Sequence, residues 1–121
     1  MDDLLKTLLD RDTKPEKDVE IEGLGTVRVR ALDDSDIKRI SERTTFGKKV
    51  DEEKQSLLFI KEGTPYIDWS NPELLAKFQT DDPLTVIKKA LLPGEKVKLV
   101  NEILGISGFD LADLVAKAKN S

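Results

Sequence analysis

The architecture of this chain is set by residues 71–109, which read NPELLAKFQTDDPLTVIKKALLPGEKVKLVNEILGISGF. The stretch contains three helix starts of one kind, at Asn71-Pro72, Asp82-Pro83 and Leu92-Pro93. Proline suits the first position of a helix because it has no N–H to leave unpaired, and it disfavours helical geometry in the residue before it. The pattern therefore predicts a series of short helices, over about 72–79, 83–91, 94–104 and 110–119.

The ends of these helices are marked less strongly than their starts. Gly105 follows Leu104 and is predicted to terminate the third helix, with Ile106 as the apolar contact that accompanies such an end. Asp110 and Asp113 resemble the two ends of a capping box, so the fourth helix is predicted to begin there.

Upstream of this stretch, apolar and polar residues alternate on both sides of Gly23-Leu24-Gly25. The apolar positions are Val19, Ile21, Val27, Val29 and Ala31. A period of two on either side of a Gly-rich connection predicts a β-hairpin with one buried and one solvated face. An isolated hairpin is only marginally stable, so we expect helices to cover the buried face.

The polar face of this hairpin carries opposite charges on its two strands. Glu20 and Glu22 precede the glycines, and Arg28 and Arg30 follow them. Opposite charges that face each other across a strand pair stabilise it by about a few tenths of a kcal/mol, and we favour this interpretation. A contact between the two arginines and an anion or RNA is the alternative.

Two more helices are predicted between the hairpin and residue 71. The polar residues at 33–35 offer N-caps for a helix that ends near 44–47. Asp51 can cap a second helix, which Gly63 ends. From Tyr66 to Trp69 the chain is expected to be extended or irregular. We expect Trp69, the only tryptophan, in the core or at its edge rather than at a ligand.

The N-terminus resembles a separate short element. Four leucines lie on one side of a short amphipathic helix, namely Leu4, Leu5, Leu8 and Leu9. Such a stripe more often packs on its own domain than on a partner, and both interpretations stay open. Residues 11–18, RDTKPEKD, contain no apolar side chain and are typical of a linker.

These patterns predict an α+β fold, in which an N-terminal β-hairpin is packed by a mostly α-helical C-terminal part of several short helices. A short amphipathic helix and a flexible linker are expected over residues 1–18, and a single domain over residues 19–119. The length of 121 residues fits one domain with a modest core.

Composition argues against several classes of function. The chain has 24 acidic and 20 basic residues, a net charge of −4, whereas binding to nucleic acid requires a dense Lys/Arg face. It has no cysteine and no histidine, so thiolate chemistry and the commonest general base are missing. No apolar run approaches the ~18 residues of a membrane span. We therefore expect a cytoplasmic protein that binds neither nucleic acid nor membrane.

No motif indicates catalysis, a cofactor or a metal. Gly23 and Gly25 lack the further glycines and the following helix of a phosphate-binding loop. Ser107 has no base at the spacing of a catalytic serine. The acidic cluster at 33–36 lacks the spacing and the closing glutamate of a calcium loop. We predict a protein that is not an enzyme, with no catalytic residues, no cofactor, no metal and no small-molecule substrate.

Two of the predicted helices, 83–91 and 94–104, carry apolar side chains around about half of their circumference or more. Helices sandwiched between neighbours would explain this breadth. An exposed groove that accepts an apolar segment of a partner protein would explain it as well. On the second interpretation the candidate partner-binding residues are Leu84, Ile87, Leu91, Leu92, Val97, Val100, Ile103 and Phe109.

Residues 71–109 are also similar to the C-terminal part of the XkdN-like tail assembly chaperones of tailed phages and phage-like elements in Gram-positive bacteria. The likeness rests on the order and spacing of Asn71–Leu75, Asp82-Pro83, Lys88-Lys89, Leu91–Glu95 and Ser107–Phe109. The hairpin and the Asp-rich helix start resemble the family's layout too, so the likeness covers roughly residues 19–119. The chain departs from the family pattern at Gln79, where a helix-ending glycine is expected, and at Lys96-Val97, where more apolar residues are expected.

The resemblance implies a chaperone for the tape measure protein, which is long, helical and prone to aggregate. Such a chaperone keeps the tape measure protein soluble while tail-tube subunits polymerise around it, and is absent from the finished particle. The tail tube protein and further copies of the chain are additional candidate partners, and the host cytoplasm is the expected location. The alternative is a structural tail or baseplate component that stays in the particle.

Overall fold

The computed structural model describes residues 3–109. The elements follow in the order α1 (Asp3–Asp10), β1 (Glu16–Ile21), β2 (Gly25–Arg30), α2 (Asp34–Thr44), β3 (Thr45–Phe46), β4 (Lys49–Val50), α3 (Glu52–Gly63), α4 (Pro72–Lys77), α5 (Pro83–Ala90) and α6 (Pro93–Ile106). The predicted α+β class, an N-terminal hairpin followed by mostly short helices, is confirmed. The helix predicted over 110–119 lies outside the described residues.

The first hairpin is longer than the alternation of apolar residues indicated. β1 and β2 pair antiparallel from Glu16 opposite Arg30 to Ile21 opposite Gly25. The strand therefore starts at Glu16, inside the segment that we predicted to be linker. Just before it, the carbonyl of Pro15 accepts a hydrogen bond of 2.9 Å from the N–H of Ala31, which extends the paired region.

The ion pair predicted for Arg28 forms, but with different acids. Its guanidinium contacts the carboxylate of Glu16 at 3.4 Å and that of Asp18 at 3.0 Å, so the predicted pairing with Glu20 and Glu22 was wrong. The reason is the short turn between the strands, which sets the register and places Arg28 opposite Asp18. The hydrogen bond that Arg28 donates to Asp18 raises the pKa of Arg28 above its ordinary value.

Helix α3 lies at the centre of the fold, because α2, α5 and α6 all pack on it. The buried apolar face of the hairpin packs against α6 and α3. Gly63 allows α6 to approach closely: a Cβ added there would lie 2.7 Å from Cγ1 and 2.8 Å from Cγ2 of Ile103, and closer still to Cδ1. Gly63 thus ends α3, as predicted, and also admits the side chain of Ile103.

Helix starts lie where the sequence predicts them. Asp33 forms a capping box with Asp36 at α2, and Asp51 accepts a hydrogen bond from the N–H of Lys54 at α3. Asn71 and Asp82 cap α4 and α5 in the same manner. Each cap satisfies a backbone N–H that the first helical turn leaves unpaired.

The predicted end of α6 was wrong. Gly105 lies inside the helix, which continues to Ile106, and Gly108 takes the left-handed conformation with φ +95°. The N–H of Phe109 donates to the carbonyl of Leu104 at 3.1 Å, and that of Gly108 to Gly105 at 3.1 Å. This double hydrogen bond is the Schellman motif.

Helix α4 ends in the same geometry without a glycine. Gln79 has φ +51°, and the N–H of Thr80 donates to the carbonyl of Leu75 at 3.1 Å. Gln79 is the position where the family pattern leads us to expect a glycine. Its backbone is in the left-handed region, where a side chain is disfavoured.

Two smaller features complete the fold. Trp69 is buried, as predicted, and its indole N–H donates to the hydroxyl of Thr64 at 2.9 Å. The residues around Lys48 connect a small second hairpin made by β3 and β4. Its apolar side chains, Phe46 and Val50, are exposed.

Candidate partner-binding surface

The predicted partner-binding residues do not form one surface. Ile87, Leu91 and Ile103 belong to the core, with exposed fractions of 0%, 5% and 0%. A partner could reach them only if the domain opened, so the structure places these three residues among those that hold α5 and α6 against α3. The remaining residues lie in three separate places.

A groove of about 400 Å³ lies between the first half of α3 and the first half of α6. Its lining residues are Glu53, Ser56, Leu57, Pro93, Lys96, Val97, Val100 and Asn101. Two of the predicted residues, Val97 and Val100, line it, and a third, Leu92, stands next to Pro93 with 67% of its side chain exposed. The groove is therefore the part of the prediction that the structure brings together.

The broad apolar circumference of α6 consists of two stripes. Leu99 and Ile103, four residues apart, face the core. Val97 and Val100, three residues apart, face the groove, and 60% of Val97 is exposed. Residues three and four apart lie on one face of a helix, so the two pairs form adjacent faces, and Val100, which also packs against the core, lies between them.

Charged residues border the groove on the α5 side. Lys88 on α5 forms an ion pair of 2.8 Å with Glu53, and its backbone carbonyl accepts a hydrogen bond of 3.1 Å from the ammonium of Lys96. The hydrogen bond with Glu53 raises the pKa of Lys88. These contacts tie the start of α6 to α5 and place both charge signs at the groove edge.

The last two predicted residues lie outside the groove. Leu84 is half-buried in a neighbouring hollow, which shares Glu53 and Leu57 with the groove. Phe109 lies near the other end of α6, in a smaller hollow with Leu32 and Ser107. A partner segment that fills the groove would therefore meet Leu84 only by crossing the Lys88–Glu53 pair.

A second apolar surface lies on α1. Leu5, Leu8 and Leu9 have exposed fractions of 47%, 56% and 67%, and no residue of this helix is buried. The favoured interpretation, that the leucine stripe packs on its own domain, was therefore wrong. The sequence shows the stripe, but its amphipathic pattern is the same whether the helix packs on its own chain or on another.

Two further features are absent from residues 3–109. This part of the chain has no group of three or more acidic residues placed to hold a metal ion. None of its helices is long and apolar enough to cross a membrane.

Comparison with known proteins gives two matches of different kinds. The family profile of phage XkdN-like tail assembly chaperone proteins matches residues 4–119. In three dimensions the chain is similar to the crystal structure of the protein YqbN, with a TM-score of 0.68 over 91% of this chain and 98% of that chain. Their sequences are 22% identical, so this second likeness concerns the fold alone. No curated protein matches this sequence.

Proposed function

Because this chain belongs to the phage XkdN-like tail assembly chaperone family, we propose that it binds the tape measure protein and keeps it soluble while the tail tube assembles. On this proposal the chain leaves before the particle is complete. The family is named for chaperones, and that role involves no catalysis.

The observation that carries the proposal is the groove between α3 and α6. Its floor and walls include Leu57, Val97 and Val100, and it is open to solvent along the exposed side of α6. A groove of this kind suits the apolar side of an amphipathic helix, whose side chains recur every three or four residues. The tape measure protein is expected to supply such helices in long series.

The groove also fits a temporary complex. It is open to solvent, and its edge carries the Lys88–Glu53 ion pair rather than a continuous apolar rim. Tight complexes need a deeply buried anchor, whereas an apolar contact in an open groove can be displaced as tube subunits arrive. A net charge of −4 favours the solubility of such a chaperone and its bound partner in the host cytoplasm. The tail tube protein is a second candidate partner.

Co-expression with the tape measure protein tests the proposal. We expect the unaltered chain to raise the soluble fraction of the tape measure protein. Val97→Asp should abolish this effect, because it places a charge on the apolar wall of the groove while leaving an exposed position exposed. Leu24→Asp is the matched control, since Leu24 is an exposed leucine in the turn of the first hairpin and should leave the effect intact.

Two outcomes would contradict the proposal. One is that Val97→Asp folds and still solubilises the tape measure protein, and the other is that the unaltered chain has no effect. Ile87→Asp is unsuitable as a probe, because Ile87 is fully buried and its replacement would unfold the domain.

The alternative, a structural tail or baseplate component, differs in where the protein is found at the end of assembly. Protein analysis of purified particles separates the two: a chaperone is absent from the particle, and a structural component is present in stoichiometric amount.

A further inference from the structure

Helix α1 needs a surface that its own domain does not provide. It has eight residues, and isolated helices shorter than ~12–15 residues are marginal in water. The leucines at 5, 8 and 9 are exposed, so packing on the domain does not supply the missing stability. A helix of this length and composition is stabilised when its leucine stripe is covered by another apolar surface.

The groove between α3 and α6 matches this stripe in length and chemistry. At about 1.5 Å per residue, α1 is ~12 Å long. The α6 wall of the groove, from Pro93 to Asn101, rises by the same ~12 Å. The stripe is apolar along its whole length, and the groove presents Leu57, Val97 and Val100 to it.

The charges around the stripe fit this placement. Asp3, Thr7 and Asp10 share the side of α1 opposite the leucines, so they would face solvent. Lys6 borders the stripe next to Leu9 and would lie at the groove edge, where it would share the carboxylate of Glu53 with Lys88.

We propose that α1 of one chain occupies the α3–α6 groove of a second copy. Within a single chain, Lys14 fixes the segment after α1 to the start of α2 by ion pairs of 3.2 Å to Asp33 and 3.5 Å to Asp36. With the segment held there, α1 lies outside its own groove, with its leucines exposed. Exchange of such an arm between copies needs no rearrangement of the domain.

This inference is independent of the proposed function, because it requires only two surfaces of the same chain. If both hold, the arm and the tape measure protein compete for one groove. Self-association would then fall as the tape measure protein is added.

Disulfide trapping gives a direct test, since the chain contains no cysteine. Full-length Leu8→Cys and Val97→Cys proteins are mixed under mild oxidation. We expect a cross-linked pair to form at least about tenfold faster than from Leu8→Cys mixed with Leu24→Cys, the control at an exposed leucine elsewhere. Equal rates would overturn the proposal. So would a chain carrying both Leu8→Cys and Val97→Cys that closes the disulfide within itself, which would assign the groove to its own arm.

Sedimentation as a function of concentration tests the same contact without cross-linking. The unaltered chain should self-associate. Leu5→Asp should weaken association by about tenfold or more, since it removes one buried leucine from the contact. Thr7→Asp adds the same charge on the opposite side of α1 and should have little effect. A chain that stays monomeric at all concentrations, or two variants that behave alike, would refute arm exchange.

Discussion

The two sides of α6 carry similar side chains and have opposite surroundings. Leu99 and Ile103 on one side are buried, while Val97 and Val100 on the other line an open groove. The difference arises from the position of α3. This helix contacts α6 closely at Gly63, whereas toward Glu53 a groove stays open between the two helices. The apolar residues of α6 therefore show that both of its sides can form contacts. The position of α3 determines which side is covered.

One charge placed on each side of α6 should have very different effects on stability. Ile103→Asp would bury an unpaired carboxylate, and we expect a loss of about 4–5 kcal/mol or more, enough to unfold the domain. Val97→Asp should change the free energy of unfolding by no more than about 0.5 kcal/mol. Urea denaturation measures both, and similar losses for the two variants would show that the groove side is also core.

The close contact between α3 and α6 gives a prediction of intermediate size. Gly63→Ala should lower the free energy of unfolding by about 1–3 kcal/mol, because the added methyl group overlaps the side chain of Ile103. Gly105→Ala is the control: it lies inside α6 with open space around it, and should raise stability by about 0.5–1 kcal/mol.

A double-mutant cycle shows whether the Gly63→Ala loss comes from this overlap. With Ile103→Ala in place the overlap is gone, so Gly63→Ala should then cost little. Equal losses in both backgrounds would mean that Gly63 matters for its backbone conformation and not for the approach of α6.

At the ends of α6 and α4 the backbone conformation matters more than packing. The expected change in the free energy of unfolding is smallest there. Gly108 and Gln79 occupy the same left-handed position in the two Schellman motifs. Gln79→Gly should raise the free energy of unfolding by up to about 1 kcal/mol, since glycine adopts this conformation without a steric penalty. Gln79→Ala should give no such gain, and a melting temperature that is the same for all three proteins would contradict this account.

Features fixed by neighbouring residues were predictable from the sequence. The caps at Asp33, Asp51, Asn71 and Asp82 depend on a side chain and a backbone N–H two or three residues away, and all form as expected. The α+β class follows from the same local signals, because the change from alternating strands to capped helices can be read along the chain.

Features fixed by distant contacts were not predictable in this way. The hydroxyl of Ser107 accepts a hydrogen bond of 2.8 Å from the N–H of Leu32, which ties the end of α6 to the segment before α2. No local pattern reveals that contact, and Gly105 and Gly108 are equally plausible helix ends without it. The same holds for the candidate partner-binding residues. Val97 lines the groove and Ile103 is buried only because of where α3 lies.

The buried tryptophan gives this protein a built-in optical signal. The indole N–H of Trp69 donates to the hydroxyl of Thr64, which in turn donates to the carbonyl of Ile60 in the last turn of α3. It is the only tryptophan in the chain, and it does not line the groove. Its fluorescence should shift to longer wavelength when the core opens and stay constant when a ligand fills the groove. Unlabelled protein can therefore report loss of the core separately from loss of binding.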